Sequence, residues 1–116
     1  MFRNEAQQVA AVRILLRSVR LEHLWQDNGP TDHANQLIDH KGGAMSHGET
    51  LMLQVAFDFW NGWGLAKFAD VVNDLDGTRL PLVANLMIAV GQGAEAVDQW
   101  IADYGDPPAS QPRPRR

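Results

Sequence analysis

The chain has no cysteine. That absence removes disulfides, thiolate metal sites and cysteine nucleophiles together, so stability must come from packing alone. Serine is scarce as well. Ser18, Ser46 and Ser110 are the only three, and none stands in a nucleophile elbow or a Ser-x-x-Lys setting. No apolar run approaches the roughly 20 residues that span a bilayer. The opening MFRNEAQQ is charged and polar, unlike a secretory signal. Phosphate-binding glycine motifs are missing too: Gly42-Gly43 and Gly91-Gln92-Gly93 have neither a flanking strand nor a phosphate-reaching lysine. The expectation is a soluble, cytoplasmic, non-enzymatic protein with no membrane partner and no cofactor.

What is present is a single domain's worth of apolar sequence. At 116 residues the chain can bury roughly two thirds of the surface its unfolded form exposes. The net charge of −4 is unevenly spread. Residues 1 to 26 carry four arginines against two glutamates, residues 27 to 105 carry eleven acids against three bases, and the final eleven residues are again net basic. Such asymmetry suits either a basic helix docked on an acidic body or an outside partner.

The segment Ser46 to Asn61 organises the rest. Ser46-His47-Gly48-Glu49 is a Ser-x-x-Glu capping box immediately before an apolar run. From Leu51 to Trp60 the polar positions Gln54 and Asp58, with Thr50 and Asn61 flanking, recur every three or four residues and form one narrow stripe. A helix with so little polar surface must be wrapped by others. The sequence therefore predicts an all-α fold, a compact bundle of five to six short helices around a central apolar helix at about 47–60, occupying residues 1–105.

The other elements follow from caps and periodicity. The first helix is expected from Glu5 to near Asp27, with Asn4 as N-cap, Gln7 closing a capping box, and Asn28-Gly29-Pro30 as the stop. Val9, Val12, Leu16 and Val19 form its apolar stripe, widened by Leu15, Leu24 and Trp25. Thr31 caps a second helix that Gly42-Gly43 ends after Lys41. A fourth is expected from Leu65 to Leu75, turning Phe68 and Val72 inward. Thr78 caps a fifth, with Pro81 tolerated in its first turn and LVANLMIAVG largely buried. The last runs from Ala94 to Tyr104, with Val97, Trp100, Ile101 and Tyr104 inward. Residues 106–116, DPPASQPRPRR, read as a flexible Pro/Arg-rich tail.

Candidate binding residues fall in two places. Phe59, Trp60 and Trp63, with Asp58 among them, offer an aromatic surface beyond what a small bundle can plainly enclose. Arg13, Arg17 and Arg20, spaced by four and three, set three guanidinium groups along about two turns, a face for an anion or an acidic partner. Asp58 sits near the negative end of its helix and needs a partner: an indole N–H, a neighbouring cap or an arginine. His33, His40 and His47 lie among Asp32, Asp39 and Glu49, but His33 and His40 would be about 10 Å apart on a helix, too far to share one metal.

The expected function is a small protein-interaction module, an adaptor, inhibitor or regulatory subunit that binds another protein or itself as a homodimer. One alternative is a nucleic-acid-associated helical regulator using Arg13, Arg17, Arg20 and the tail arginines Arg113, Arg115 and Arg116. Helices four and five have helix-turn-helix proportions, but Asp70 and Asp74 would repel phosphate there. A second alternative is a small acid-base or metal-dependent enzyme built from the histidines and aspartates.

Overall fold

A computed structural model describes residues 1–40 and 44–105. Among them the helices are α1 (Glu5–Arg17), α2 (Asp32–Asp39), α3 (His47–Asn61), α4 (Phe68–Asp74), α5 (Arg79–Gln92) and α6 (Ala94–Tyr104). Between α1 and α2 come a 3₁₀ turn (Glu22–Leu24) and an antiparallel ribbon of β1 (Trp25–Gln26) and β2 (Gly29–Pro30), with Gln26 opposite Gly29. The fold is all-α and is built around α3. Expectations for Gly42-Gly43 and for residues 106–116 lie outside the described residues.

Both halves of the Ser46–Glu49 capping box form, and Gly62 closes α3 in the left-handed conformation at φ 73°. Between these caps Leu51, Met52, Leu53, Val55, Ala56 and Phe57 are buried, facing several directions at once because successive helical positions turn by about 100°. Each of the large ones contributes roughly 1.5–3 kcal/mol on burial. α1 packs against α3 on one side and against α6 on another, while α6 pairs with α5. The run α5, α6, α1, α3 thus wraps the core, and α4 sits beside α3.

The first helix ends ten residues short of Asp27. Leu21 N–H bonds to Leu16 C=O at 2.9 Å and Arg20 N–H to Arg17 C=O at 3.1 Å, which is a Schellman stop. Arg20 occupies its left-handed position at φ 63°, where glycine is usual. Leu16 and Leu21 are both buried and supply the apolar contact that accompanies this motif. Asn28-Gly29-Pro30 is therefore not a helix stop but part of the ribbon. Val9, Val12, Leu15, Leu16, Val19, Leu24 and Trp25 are all in the core, the last two reached through the 3₁₀ turn and ribbon rather than through a long helix.

Two of the expected caps use other partners. Asn4 accepts Gln7 N–H at 2.9 Å, but the Gln7 side chain accepts from Arg3 N–H and donates to Ala94 C=O and the Asp98 carboxylate. The box is left half closed, and Gln7 becomes a buried tie between α1 and α6. Thr78 makes no side-chain cap bond. Instead the Asp76 carboxylate accepts the backbone N–H groups of Thr78 and Arg79, and these bonds, that of Arg79 first, hold its carboxyl below the usual range. Thr31 does cap α2, accepting Ala34 N–H at 3.0 Å.

Two helices are less buried than their periodicity predicts. α4 starts at Phe68 rather than Leu65 and has no buried residue; Phe68 is 78% and Val72 43% exposed. On α5, Leu82, Val83, Leu86 and Ala89 are buried, but Met87 and Ile88 are 55% and 56% exposed. In α6, Val97 and Trp100 are buried while Tyr104 lies outside, accepting a hydrogen bond from Asn85.

Candidate functional site

The late start of α4 traces to one carboxylate. Asp58, in the last turn of α3, accepts Leu65 N–H at 2.7 Å and Ala66 N–H at 2.9 Å. Among the described residues neither an indole nor an arginine is its partner, and it caps no neighbouring helix. Its two bonds tie residues 65 and 66 to the end of α3, and α4 begins only after them. α4 then has only Val71 and the following Leu75 turned toward the core. A second tie, His47 Nε2 to Asp74 Oδ2 at 3.0 Å, joins its far end to the start of α3.

Held this way, α4 forms the third wall of an open hollow of about 510 Å³. α3 contributes Val55, Asp58 and Phe59; α4 contributes Phe68, Val71 and Val72, with Ala66 before it; α5 contributes Leu80, Val83, Ala84 and Met87. On every wall the spacing is three and four, so each helix offers one continuous stripe. Val55 and Val83 are buried and form the floor, while Phe68, Val72 and Met87 stand exposed around it. Among the described residues Asp58 is the single charged side chain in the lining. The volume falls in the range of ligand and anchor pockets, roughly 300–1,000 Å³.

A neighbouring hollow shares Asp58 and Phe59 and continues past Gln8 and Glu5 to Phe2 and Val90. Phe2 meets Phe59 edge to face at 6.4 Å. Together the two hollows make one trough along α3.

The aromatic residues expected to form one surface are not brought together. Phe59 is in the trough. Trp60, half-buried, turns to the opposite side, edge-on to Trp25 at 5.8 Å and against Gly29. Trp63 is 58% exposed and stacks flat on Phe57, ring centres 5.6 Å apart. The helical rotation that made a shared face impossible for Phe59 and Trp60 was visible in the sequence; which of them met a neighbour was not. Trp25, fully buried, also lies edge-on to Phe57 at 5.0 Å, and its indole N–H has no hydrogen-bond partner among the described residues.

The basic face is likewise divided. Arg13 and Arg17 both reach Glu22, with Arg17 Nη2 at 2.8 Å and Arg13 Nη2 at 3.3 Å from Oε2. Arg13 also donates to Trp25 C=O. The Arg17 hydrogen bond, more than any other influence, holds the Glu22 carboxyl below its usual range, against the opposing effect of burial. Arg20 lies beyond the helix end and departs from their row. The arginine pair thus fastens the 3₁₀ turn to α1. On the opposite flank Arg3 makes a two-pronged pair with Asp98, its hydrogen bond the main cause of a lowered Asp98 carboxyl.

The histidines are separate from one another in role. His40 Nδ1 lies 2.8 Å from Gln36 C=O, His47 pairs with Asp74, and His33 is exposed. Among the described residues no group of three or more His, Asp or Glu side chains is placed to hold a metal ion. None of their helices is long and apolar enough to cross a membrane.

Sequence reasoning missed Phe68, Val72, Met87 and Val55 as site residues because it assigned their stripes to the core. One signal was available. α5 is apolar on two faces, Leu82–Leu86–Ala89 and Leu80–Val83–Met87, more than its neighbours α4 and α6 can cover.

Fold and hollow together define a small all-α domain whose apolar hollow between three helices is left open by the described residues. Compared with family models, with curated proteins and with solved structures, the chain finds no match in any of the three.

Proposed function

We propose that this chain is a small non-enzymatic protein-interaction module, an adaptor, inhibitor or regulatory subunit, and that its docking surface is the hollow between α3, α4 and α5. The observation that carries this reading is the contiguous apolar lining with Phe68 78% and Met87 55% exposed at its rim. Large apolar side chains clustered around a concavity are unfavourable in water unless a partner covers them. The surface differs from the expected one: Phe59 and Asp58 belong to it, whereas Trp60 is engaged by the ribbon.

The carboxyls held below their usual range serve structural ties. Glu22, Asp76 and Asp98 are held low by ion pairs or caps, and none of them lines the hollow. A nucleic-acid role finds less support in the geometry, since Arg13 and Arg17 are engaged by Glu22.

The test is a double variant, Phe68→Ser with Met87→Ser. Both positions are more than half exposed, so the fold should survive. Proteins retained from the native source by the wild-type chain are compared with those retained by the variant. A genuine groove partner is lost, because two anchors of this kind carry about 2 kcal/mol or more between them. A partner retained equally by both would place the interface elsewhere and refute the reading.

A further inference from the structure

We infer that the occupant of the hollow is an amphipathic helix bearing a basic side chain opposite Asp58, an inference that rests on the docking role just proposed. The shape of the walls points to a helix. On α5 the stripe Leu80, Val83, Ala84 and Met87 repeats at three, four and seven, and the α3 and α4 stripes repeat at three and four. Rows with that spacing are the ridges into which a further helix packs. The α5 stripe extends about 10 Å, so the occupant contributes roughly two turns and three or four anchors. The hollow has the form of a bundle interior with one member missing.

The charge of the site decides what that helix carries. Among the described residues no lysine, arginine or histidine lines either hollow of the trough; Asp58 lines both and Glu5 the second. The Met1 amine at the far end donates to Val90 C=O. Asp58 uses one bond on each oxygen, to Leu65 and Ala66, and a carboxylate has about four acceptor positions. Acceptor capacity therefore remains for an incoming guanidinium or ammonium, against an apolar wall where charge is weakly screened. An acidic side chain in the same place would meet like charge.

The experiment uses the full chain and three synthetic labelled helical peptides that share one apolar stripe. They carry Arg, Gln or Glu at the flanking positions, and binding is read by fluorescence anisotropy at low and high salt. The Arg peptide is expected to bind about tenfold or more tighter than the Glu peptide at low salt, with the gap narrowing as salt rises. Binding of all peptides should fall in the Phe68→Ser, Met87→Ser variant. The charge comparison uses the wild-type protein alone, so it does not depend on altering Asp58, which also holds the 65–66 turn.

Equal binding of all three peptides, lost in the double variant, would overturn the basic preference while leaving groove docking intact. Binding unaffected by the double variant would defeat groove docking itself. If no peptide binds, the inferred helix is wrong. A dilution series that then shows self-association, abolished by the double variant, would identify a second copy of this chain as the occupant.

Discussion

Replacing Gly29 with alanine tests how firmly Trp60 is held away from the trough. Gly29 sits in the ribbon at φ 116°, a conformation that side chains of L-residues rarely adopt and that costs roughly 1–3 kcal/mol when forced. An added Cβ would also stand 2.6 Å from Trp60 Cζ2 and 3.1 Å from Cε2. These are atoms of a rigid indole, itself edge-on to buried Trp25. Inserting a methyl into such a site costs a further 1–3 kcal/mol or so, giving a total of about 2–6 kcal/mol. Gly62→Ala is the natural control. It has φ 73° with nothing within 4 Å of the added carbon, so only the backbone cost of about 1 kcal/mol remains. Urea denaturation followed by far-ultraviolet circular dichroism measures both. Adding Trp60→Leu should then relieve part of the Gly29→Ala penalty, since the clash is with that ring. If the two glycine variants cost the same, Trp60 is not fixed on the ribbon and its exclusion from the binding surface fails.

Three further outcomes are expected. Arg20→Gly should raise stability by about 0.5–1 kcal/mol, because glycine removes the left-handed strain at φ 63° at some cost in unfolded-chain entropy; a loss of stability would show that the Arg20 side chain does more than end the helix. Asp58→Ala should cost about 2 kcal/mol by leaving the Leu65 and Ala66 N–H groups without their charged acceptor, and amide exchange should quicken across residues 65–75 before it does in α3. Glu22→Gln should matter most near neutral pH. The folded-state carboxyl is lowered from 4.5, so its contribution is complete above that value and disappears as pH falls through the lower folded value. Wild type and variant should differ by roughly 1 kcal/mol or less at pH 7, given the partial exposure, and converge in strong acid; a gap that widens on acidification would contradict the assigned ion pairs.

Helix starts were more legible than helix stops. Ser46 and Glu49 name the beginning of α3 unambiguously, because a reciprocal cap needs those two side chains at that spacing. The end of α1 carries no comparable sign. Arg20 fills a position where glycine would have announced the stop, and Asn28-Gly29-Pro30 suits a tight ribbon as well as a C-cap, since both want a residue at positive φ. Thr78 looked like a cap because hydroxyls often are one, but Asp76, two residues earlier, takes the N–H groups of Thr78 and Arg79 with a full charge instead. The trough was hidden for a different reason. Phe68 and Val72 have the right period to face inward, and period says which residues share a face without saying whether anything covers it. Coverage was decided by Asp58, a contact across seven residues of chain that no local pattern encodes.

Gln7 and Asp98 meet across 91 positions, as do Arg3 and Asp98 across 95. On the ribosome, α1 must therefore wait for α6 before one of its flanks can be sealed. Until α6 arrives, Ile14 and the surface of α1 that it will cover stay open to the nascent chain's surroundings, so this fold closes only once α6 has emerged, however early α1 was made.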